Sequence, residues 1–290
     1  MLLRSLPYWI VLILLLVAPP ARSHGQDSPP AAVPKAASTG KAADDPAVVE
    51  AFKKAGRFRR CQLDKDCNVI SVLLSGPPPL ERPAERQLRL DCLENLKGFP
   101  RLRKIEVHTG NPNEALDYIA DLTKLETLEL NNTELIDSGL ITIQGMTALK
   151  RLSLNSSYKV TDAGLEYLAG LKSLEDLDLS NTRIRGRGLS WLKGLKNLKK
   201  LDLSGNRIGD SEMVHVAAFA ALEDLSLSCT DVTSRSIGEL SRLTRLKALD
   251  LSGDGATRPG AEALMKSLPK LKIVLPSTGY ARKPRTRYDP

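Results

Sequence analysis

The chain has 290 residues, and 42 Lys and Arg against 34 Asp and Glu give it a formal net charge of +8. A modest positive charge indicates nonspecific attraction to anions and does not by itself indicate a nucleic-acid-binding protein. No glycine-rich phosphate loop, HExxH helix or serine or cysteine nucleophile elbow occurs in the sequence, which excludes the enzyme classes built on those motifs.

Residues 1–23 have the features of a secretory signal peptide: a short basic head with Arg4, an apolar run from Tyr8 to Ala18, and a small-residue cleavage site ending at Ser23. The apolar run is shorter than the roughly 20 residues of a membrane-spanning helix, so we expect cleavage and a secreted or periplasmic protein. An uncleaved N-terminal membrane anchor is the alternative. Residues 24–46 are rich in Pro, Ala, Ser and Gly without apolar periodicity, which predicts a disordered linker.

Residues 47–101 are predicted to form an N-terminal cap. The pattern indicates a short helix over 45–56, two strands over 57–63 and 68–74 joined by a polar turn, and a second helix over 84–97. A helix followed by a hairpin is suited to cover the open apolar face of a first repeat.

One sequence motif recurs along the rest of the chain. Each copy consists of L-x-x-L-x-L, then a short polar residue and an aliphatic residue, and then a segment with a helical pattern. Its first leucines are 23 to 25 residues apart; they are Leu102, Leu125, Leu149, Leu174, Leu198, Leu222, Leu246 and Leu271. A fixed interval of this length indicates stacked repeats, here seven full units and a closing strand within residues 102–276. Residues 277–290 are predicted to be a disordered basic tail.

The motif L-x-x-L-x-L-x-x-[N/T]-x-[I/L/V], followed by D-x-G-L, resembles leucine-rich repeats. It is most similar to the TDAGL-type repeat of secreted bacterial proteins and of F-box proteins. This resemblance implies an α/β solenoid with a curved parallel sheet on the concave face and helices on the convex face. Polar residues at the bend after each strand are expected to bond backbone groups; they are Thr133, Ser157, Thr182, Asn206 and Thr230.

Two further positions recur in the helical half. Carboxylates near the helix start are expected to accept from its free amides; they are Asp137, Asp162 and Asp210. The recurrence of glycine at the next position suggests that backbone approaches backbone there; these residues are Gly139, Gly164, Gly188 and Gly260.

The outward positions of the strands form the candidate partner-binding surface, because curved solenoids usually bind through the concave face. Its candidate residues are Glu106, Glu129, Asn131, Arg151, Asn155, Asp176, Asp178, Lys200, Asp202, Asp224 and Asp250. One column of opposite charges is predicted to pair mainly with itself: Arg151, Asp176, Lys200 and Asp224. The adjacent column has an acidic excess, which disfavours phosphate groups and favours a basic or polar protein partner.

We expect no cofactor and no metal. Asp178 and Asp202 could act as a catalytic carboxylate pair, and the same acidic row with Glu129 and Asp250 could bind a metal. Both interpretations are weaker than that of a solvated acidic row without such a role. Among the cysteines, a bridge is expected within Cys61, Cys67 and Cys92, with Cys61 to Cys67 the first choice because a hairpin would join them. Cys229 lies too many repeats away to take part.

A basic concentration is predicted away from the concave face; it comprises Arg183, Arg185, Arg187, Lys193, Lys196 and Lys199. Trp191 lies among these residues and is expected to pack between repeats, with an exposed anchor as the alternative. The predicted function is a monomeric, non-enzymatic protein-interaction module of the cell envelope or exterior. The alternatives are an anion-binding surface protein using the basic edge and tail, and an F-box-like substrate adaptor in ubiquitin ligation.

Overall fold

The structure is a computed structural model, and it describes residues 58–63, 69–75, 96, 99, 101–108, 111–113, 116–253 and 258–275. Several predictions lie outside these residues: the signal peptide, the linker, the two cap helices and the basic tail. Cys67 and Cys92 lie outside them as well, as does the side chain of Cys61, so the predicted bridge stays a prediction.

A ten-stranded sheet in sequence order runs through the described residues. The predicted hairpin is confirmed: β1 (Phe58–Leu63) and β2 (Val69–Ser75) pair antiparallel. From β2 onward every neighbouring pair is parallel. The remaining strands are β3 (Lys104–His108), β4 (Thr127–Asn131), β5 (Arg151–Ser153), β6 (Asp176–Asp178), β7 (Lys200–Asp202), β8 (Asp224–Ser226), β9 (Ala248–Asp250) and β10 (Lys272–Val274).

The helical halves are short and mostly 3-10 in type. The 3-10 segments are Leu116–Tyr118, Asp137–Gly139, Asp162–Leu168, Arg187–Gly194, Asp210–Glu212 and Ile237–Arg242. The α-helices are α1 (Leu140–Ile143), α2 (Met213–Val216) and α3 (Arg258–Ser267). The leucine spacing accounts for this choice, because a 3-10 helix has three residues per turn and brings every third side chain to one face. Leu165, Leu168 and Leu171 follow that spacing, and all three are fully buried.

The core lies between the sheet and the helical segments. Leu152, Leu177 and Leu201 stand opposite one another on β5, β6 and β7, and each is at most 2% exposed. Burying one such side chain contributes about 1.5 to 3 kcal/mol relative to leaving it in water. Because the same apolar positions recur in every repeat, the core is continuous along the sheet.

A buried polar ladder runs along the bend that follows each strand. Asn206 Nδ2 donates to the carbonyl oxygens of Leu179 at 2.7 Å and Leu203 at 3.0 Å, and Asn206 Oδ1 accepts from the backbone N–H of Thr182 at 3.1 Å. Thr133 and Ser157 contact each other at 3.0 Å and both donate to Leu130 O. The predicted role of these residues is confirmed, and their bonds join successive repeats as well as closing each bend.

The acidic residues near the helix starts bond to the following repeat. Asp162 accepts from the backbone N–H groups of Arg185 at 2.9 Å, Gly186 at 3.0 Å and Gly188 at 2.8 Å. Asp210 accepts from Thr233 N at 2.8 Å and Thr233 Oγ1 at 2.6 Å. The expectation that each carboxylate caps its own helix is therefore wrong. Stacking brings the next loop, with its unpaired amides, within reach of the carboxylate.

The recurring glycines allow this contact. A Cβ at Gly188 would collide with the backbone carbonyl of Asp162, and one at Gly164 would lie 2.5 Å from Asp137 Oδ1. The predicted approach of backbone to backbone is confirmed at Gly188, whereas side chains are the nearest atoms at Gly139, Gly164 and Gly260.

Replacing Gly188 by Ala is expected to destabilise the protein by about 1 to 3 kcal/mol, because backbone rather than a flexible side chain blocks the added methyl group. Urea unfolding of the full chain measures this loss. Gly238 is the matched control, because it also lies in a 3-10 segment and a Cβ there meets nothing within 4 Å. Gly238→Ala should leave stability unchanged or raise it by up to about 1 kcal/mol; equal losses at both positions would contradict the assignment.

Asp210 should make stability depend on pH. Burial raises the pKa of this carboxyl, but hydrogen bonds from Ser236 and Thr233 outweigh burial and hold the pKa below the ordinary 3.8. A lowered folded-state pKa contributes stability that is present above the unfolded pKa and lost as pH falls through the folded pKa. Asp210→Ala is therefore expected to cost about 1 to 3 kcal/mol at neutral pH and less below pH 3.8.

Unfolding curves at the two pH values measure that difference. The exposed Asp231, in the next-repeat loop that Asp210 contacts, is the control, and Asp231→Ala should change the free energy of unfolding little. A pH-independent loss for Asp210→Ala would show that the charge of this carboxylate is unimportant.

Candidate partner-binding face of the sheet

The strand residues that alternate with the buried leucines lie on the sheet face opposite the helical segments. We call this surface the outward face. Its first column is Lys104, Thr127, Arg151, Asp176, Lys200, Asp224 and Ala248, and its second column is Glu106, Glu129, Ser153, Asp178, Asp202, Ser226 and Asp250. Both columns are in register from β3 to β9, as the repeat interval predicts. Thr127 departs from the pattern, since it is buried between its neighbours.

The charge ladder predicted in the first column is only loosely paired. Lys200 Nζ lies 4.0 Å from Asp224 Oδ2, and both side chains are about half exposed. An ion pair this long and this exposed contributes about 0 to 1 kcal/mol. The column therefore has the predicted register, while its charges remain accessible to another molecule.

A tighter ladder, which was not among the predicted features, lies one residue earlier in each repeat. Its members alternate in sign; they are Arg103, Glu126, Lys150, Glu175, Lys199, Glu223 and Lys247, and we call them the edge ladder. Lys150 is 2.8 Å from Glu126, Lys199 is 2.7 Å from Glu175, and Lys247 is 2.5 Å from Glu223. The hydrogen bond from each lysine lowers the pKa of its glutamate. The sequence shows this ladder as an alternation of basic and acidic residues directly after the first leucine of each repeat.

Carboxylates of the second column close the ends of their own strands. Asp178 Oδ1 accepts a hydrogen bond from the backbone N–H of Ser180 at 2.9 Å, and Asp202 Oδ1 accepts one from the backbone N–H of Ser204 at 2.8 Å. Asp250 accepts from Ser252 in the same way at 2.8 Å. An Asp side chain commonly replaces a backbone acceptor at such a turn. These residues thus have a structural reason to be acidic or amide residues, separate from binding.

The predicted site residues Asn131 and Asn155 belong to one hydrogen-bond network around Asp178. Ser153 Oγ lies 2.6 Å from Asn131 Oδ1 and 2.9 Å from Asp178 Oδ2. Asn155 Nδ2 donates to Ser180 Oγ at 2.5 Å, and Ser180 Oγ donates to Asp178 Oδ1 at the same distance. The network fixes the orientation of both amides and leaves the face polar and pre-organised.

The acidic excess is concentrated on β6 to β9. We call the following residues the acidic patch: Asp176, Asp178, Asp202, Asp224 and Asp250. Lys200 is the only basic residue in the two columns over these strands. Burial raises the pKa of Asp176; Lys200 opposes this rise, and the charge of Asp178 adds to it. Carboxylates that are partly desolvated and close together are stabilised by an incoming cation.

The glutamates at the other end of the face differ from the patch, because a lysine already neutralises them in part. Lys104 Nζ lies 2.7 Å from Glu106 Oε1 and 2.8 Å from Glu129 Oε1. Burial lowers the pKa of Lys104, but its hydrogen bonds with the two glutamates outweigh burial, and the pKa lies above its ordinary value. The predicted surface therefore divides into an internally paired end and an acidic end.

Comparison with known proteins agrees with this architecture. Residues 147–208 match the leucine rich repeat family model. Internalin C2 from Listeria monocytogenes is 21% identical, with 88% of this chain and 100% of that chain covered and a TM-score of 0.54. The fold is a leucine-rich repeat solenoid. A leucine-rich repeat protein of Leptospira interrogans is 21% identical over 62% of this chain and 45% of that chain, with a TM-score of 0.48. No curated protein sequence matches the chain.

The helical side of the leucine-rich repeat solenoid carries Trp191. Its side chain is 53% exposed, so the expectation that it packs between repeats is wrong. Leu189 and Leu192 are the buried leucines of that helical segment, and Trp191 between them points outward. The flanking Arg187 and Lys193 are exposed as well. No helix in the described part of the solenoid combines the length and hydropathy of a membrane span.

Paired variants of Asp202 separate its structural role from its charge. Asp202→Asn keeps an acceptor for the N–H of Ser204 and should change the free energy of unfolding little. Asp202→Ala removes that acceptor and should cost about 1 kcal/mol. Urea unfolding measures both variants. Equal losses would indicate that charge, rather than the strand-end hydrogen bond, stabilises the fold.

Proposed function

We propose that this protein is a non-enzymatic protein-interaction module that binds a basic segment of a partner protein on the outward face of its solenoid. The observation that carries this proposal is the acidic patch, five carboxylates on four neighbouring strands with Lys200 as the one basic residue between them. The patch is opposite in sign to the whole chain, which has a formal charge of +8.

The chemistry of the face supports a protein ligand. Parallel strands lie about 4.8 Å apart, so carboxylates on β6, β7 and β8 form a row that an extended Lys- or Arg-rich segment can follow. Complementary charges speed association and select partners more than they add affinity. The columns contain no aromatic residue, so the anchors that dominate tight interfaces are missing from them. Binding is expected to be fast, specific and sensitive to salt.

The location proposed for this activity is the cell envelope or exterior. The basic head, apolar run and small-residue cleavage site of residues 1–23 support export, and the TDAGL-like repeats support the same assignment.

A triple variant tests the proposal with little disturbance of the fold. Asp178→Asn and Asp202→Asn keep the strand-end acceptors while removing charge, and Asp224→Asn completes a loss of three charges on adjacent strands. We expect the immobilised wild-type chain to capture partners from an envelope fraction, and this variant to lose them. Raising the salt concentration should weaken wild-type capture in parallel, because exposed charges are screened.

The edge ladder supplies the matched control. Glu126→Gln, Glu175→Gln and Glu223→Gln remove the same number of charges from a column beside the outward face. This control should retain the partners. Partners retained by the patch variant, or lost equally from both, would overturn the assignment of binding to the acidic patch.

The second candidate is binding of an anionic surface through the helical side. The exposure of Trp191 between the exposed Arg187 and Lys193 favours it, since an exposed aromatic ring can anchor a basic segment at an interface. Capture that depends on Trp191 and is indifferent to the patch variant would favour this function instead.

A further inference from the structure

Three potential metal ligands meet at the first repeat. Glu106 and His108 lie on β3 and Glu129 lies on β4, with Glu106 directly opposite Glu129. Side chains two residues apart on a strand point to the same face, so His108 joins the two glutamates on the outward face. One ligand atom from each residue lies within 4.8 Å of the other two, and no other group of this kind occurs within the described part of the chain.

The imidazole nitrogen within this group lacks a partner. His108 Nε2 is shielded from solvent and makes no hydrogen bond with any described residue, although the side chain as a whole is 41% exposed. The nearest carboxylate oxygen, Glu106 Oε2, is 3.9 Å away, beyond hydrogen-bond range. A shielded polar atom without a partner is uncommon in proteins, and a bound ion is one of the arrangements that accounts for it.

Lys104 prepares the carboxylates without occupying all their oxygens. Its ammonium group bonds Oε1 of Glu106 and Oε1 of Glu129, which draws the two side chains together and leaves the Oε2 atoms free of that contact. A group that holds metal-ligating carboxylates from outside the metal shell typically strengthens a site. The two glutamates and Lys104 together retain one negative charge, which favours a cation.

We propose that Glu106, His108 and Glu129 form a binding site for a divalent transition metal ion, with zinc as the best fit. One imidazole nitrogen and two carboxylate oxygens suit zinc, whereas magnesium and calcium prefer oxygen ligands alone. Three protein ligands leave a fourth position for water or for a group from another molecule. Rotation of the flexible glutamate side chains closes the remaining distance between the ligand atoms.

The consequence is a metal clamp between β3 and β4. A metal ion that binds only the folded state stabilises it in proportion to the logarithm of its concentration. The clamp lies at the paired end of the outward face, away from the acidic patch, and it replaces the sequence-based expectation that the chain holds no metal. This inference does not depend on the proposed protein partner, and its test uses metal alone.

Calorimetric titration of the metal-stripped full chain with zinc chloride tests the site. We expect one zinc ion to bind the wild-type protein and to raise its melting temperature, while magnesium chloride does neither. His108→Ala and Glu129→Gln should each weaken zinc binding at least about tenfold. His215→Ala is the matched control, because this histidine lies in α2 on the helical side, and it should bind zinc as tightly as the wild type.

Two results would overturn the proposal: no zinc binding by the wild type at about 1 mM, or wild-type affinity in His108→Ala. Circular dichroism confirms that each variant is folded. If His108→Ala is not folded, Glu129→Gln alone decides, since it keeps the size of the side chain and removes one ligand charge.

Discussion

The fold depends on one constraint: each repeat leaves backbone groups unpaired that only the adjacent repeat can satisfy. The Asp162 carboxylate accepts hydrogen bonds from three backbone amides of the next loop, and Asn206 donates to carbonyl groups of two repeats. A buried amide without a partner costs about 1 to 3 kcal/mol, so a shift of one repeat against another would break several bonds together. Gly188 allows these contacts to form, because a larger residue there would hold the two neighbouring repeats apart. Register is thus fixed by polar contacts as well as by leucines.

Fixed register gives the outward face its properties. Once Asp176, Lys200 and Asp224 are forced opposite one another, the spacing of their charges follows from the spacing of parallel strands. The same register places residues of opposite charge beside one another within a column. In the edge ladder opposite charges neutralise one another, whereas on β6 to β9 the acidic residues outnumber their basic neighbours. The surface therefore has regularly spaced strands and polar side chains, and its charge changes from the paired end at Lys104 to the acidic end on β6 to β9.

The sequence predicted the architecture well because a 23 to 25 residue interval leaves little freedom in strand order or in which leucines are buried. It predicted less about contacts between repeats. The Asp of D-x-G can reach its own helix or the next loop, and only the stacked geometry decides. The exposure of Trp191 was also not predictable, because its position beside two leucines does not reveal whether its side chain faces the core or the solvent. The approach of His108 to Glu129 depends on the pairing of β3 with β4, which the repeat interval implies but which single-residue motifs do not display.

We propose that a partner binds over the acidic strands rather than over the helices. Site-specific photo-crosslinking in the cell envelope can distinguish these two surfaces. The probe replaces either Ser226, a neutral outward residue on β8, or Ala218, an exposed neutral residue on the helical side. We expect covalent adducts with a basic partner from position 226 that high salt suppresses, and none from position 218. Adducts that form only from position 218 would contradict it.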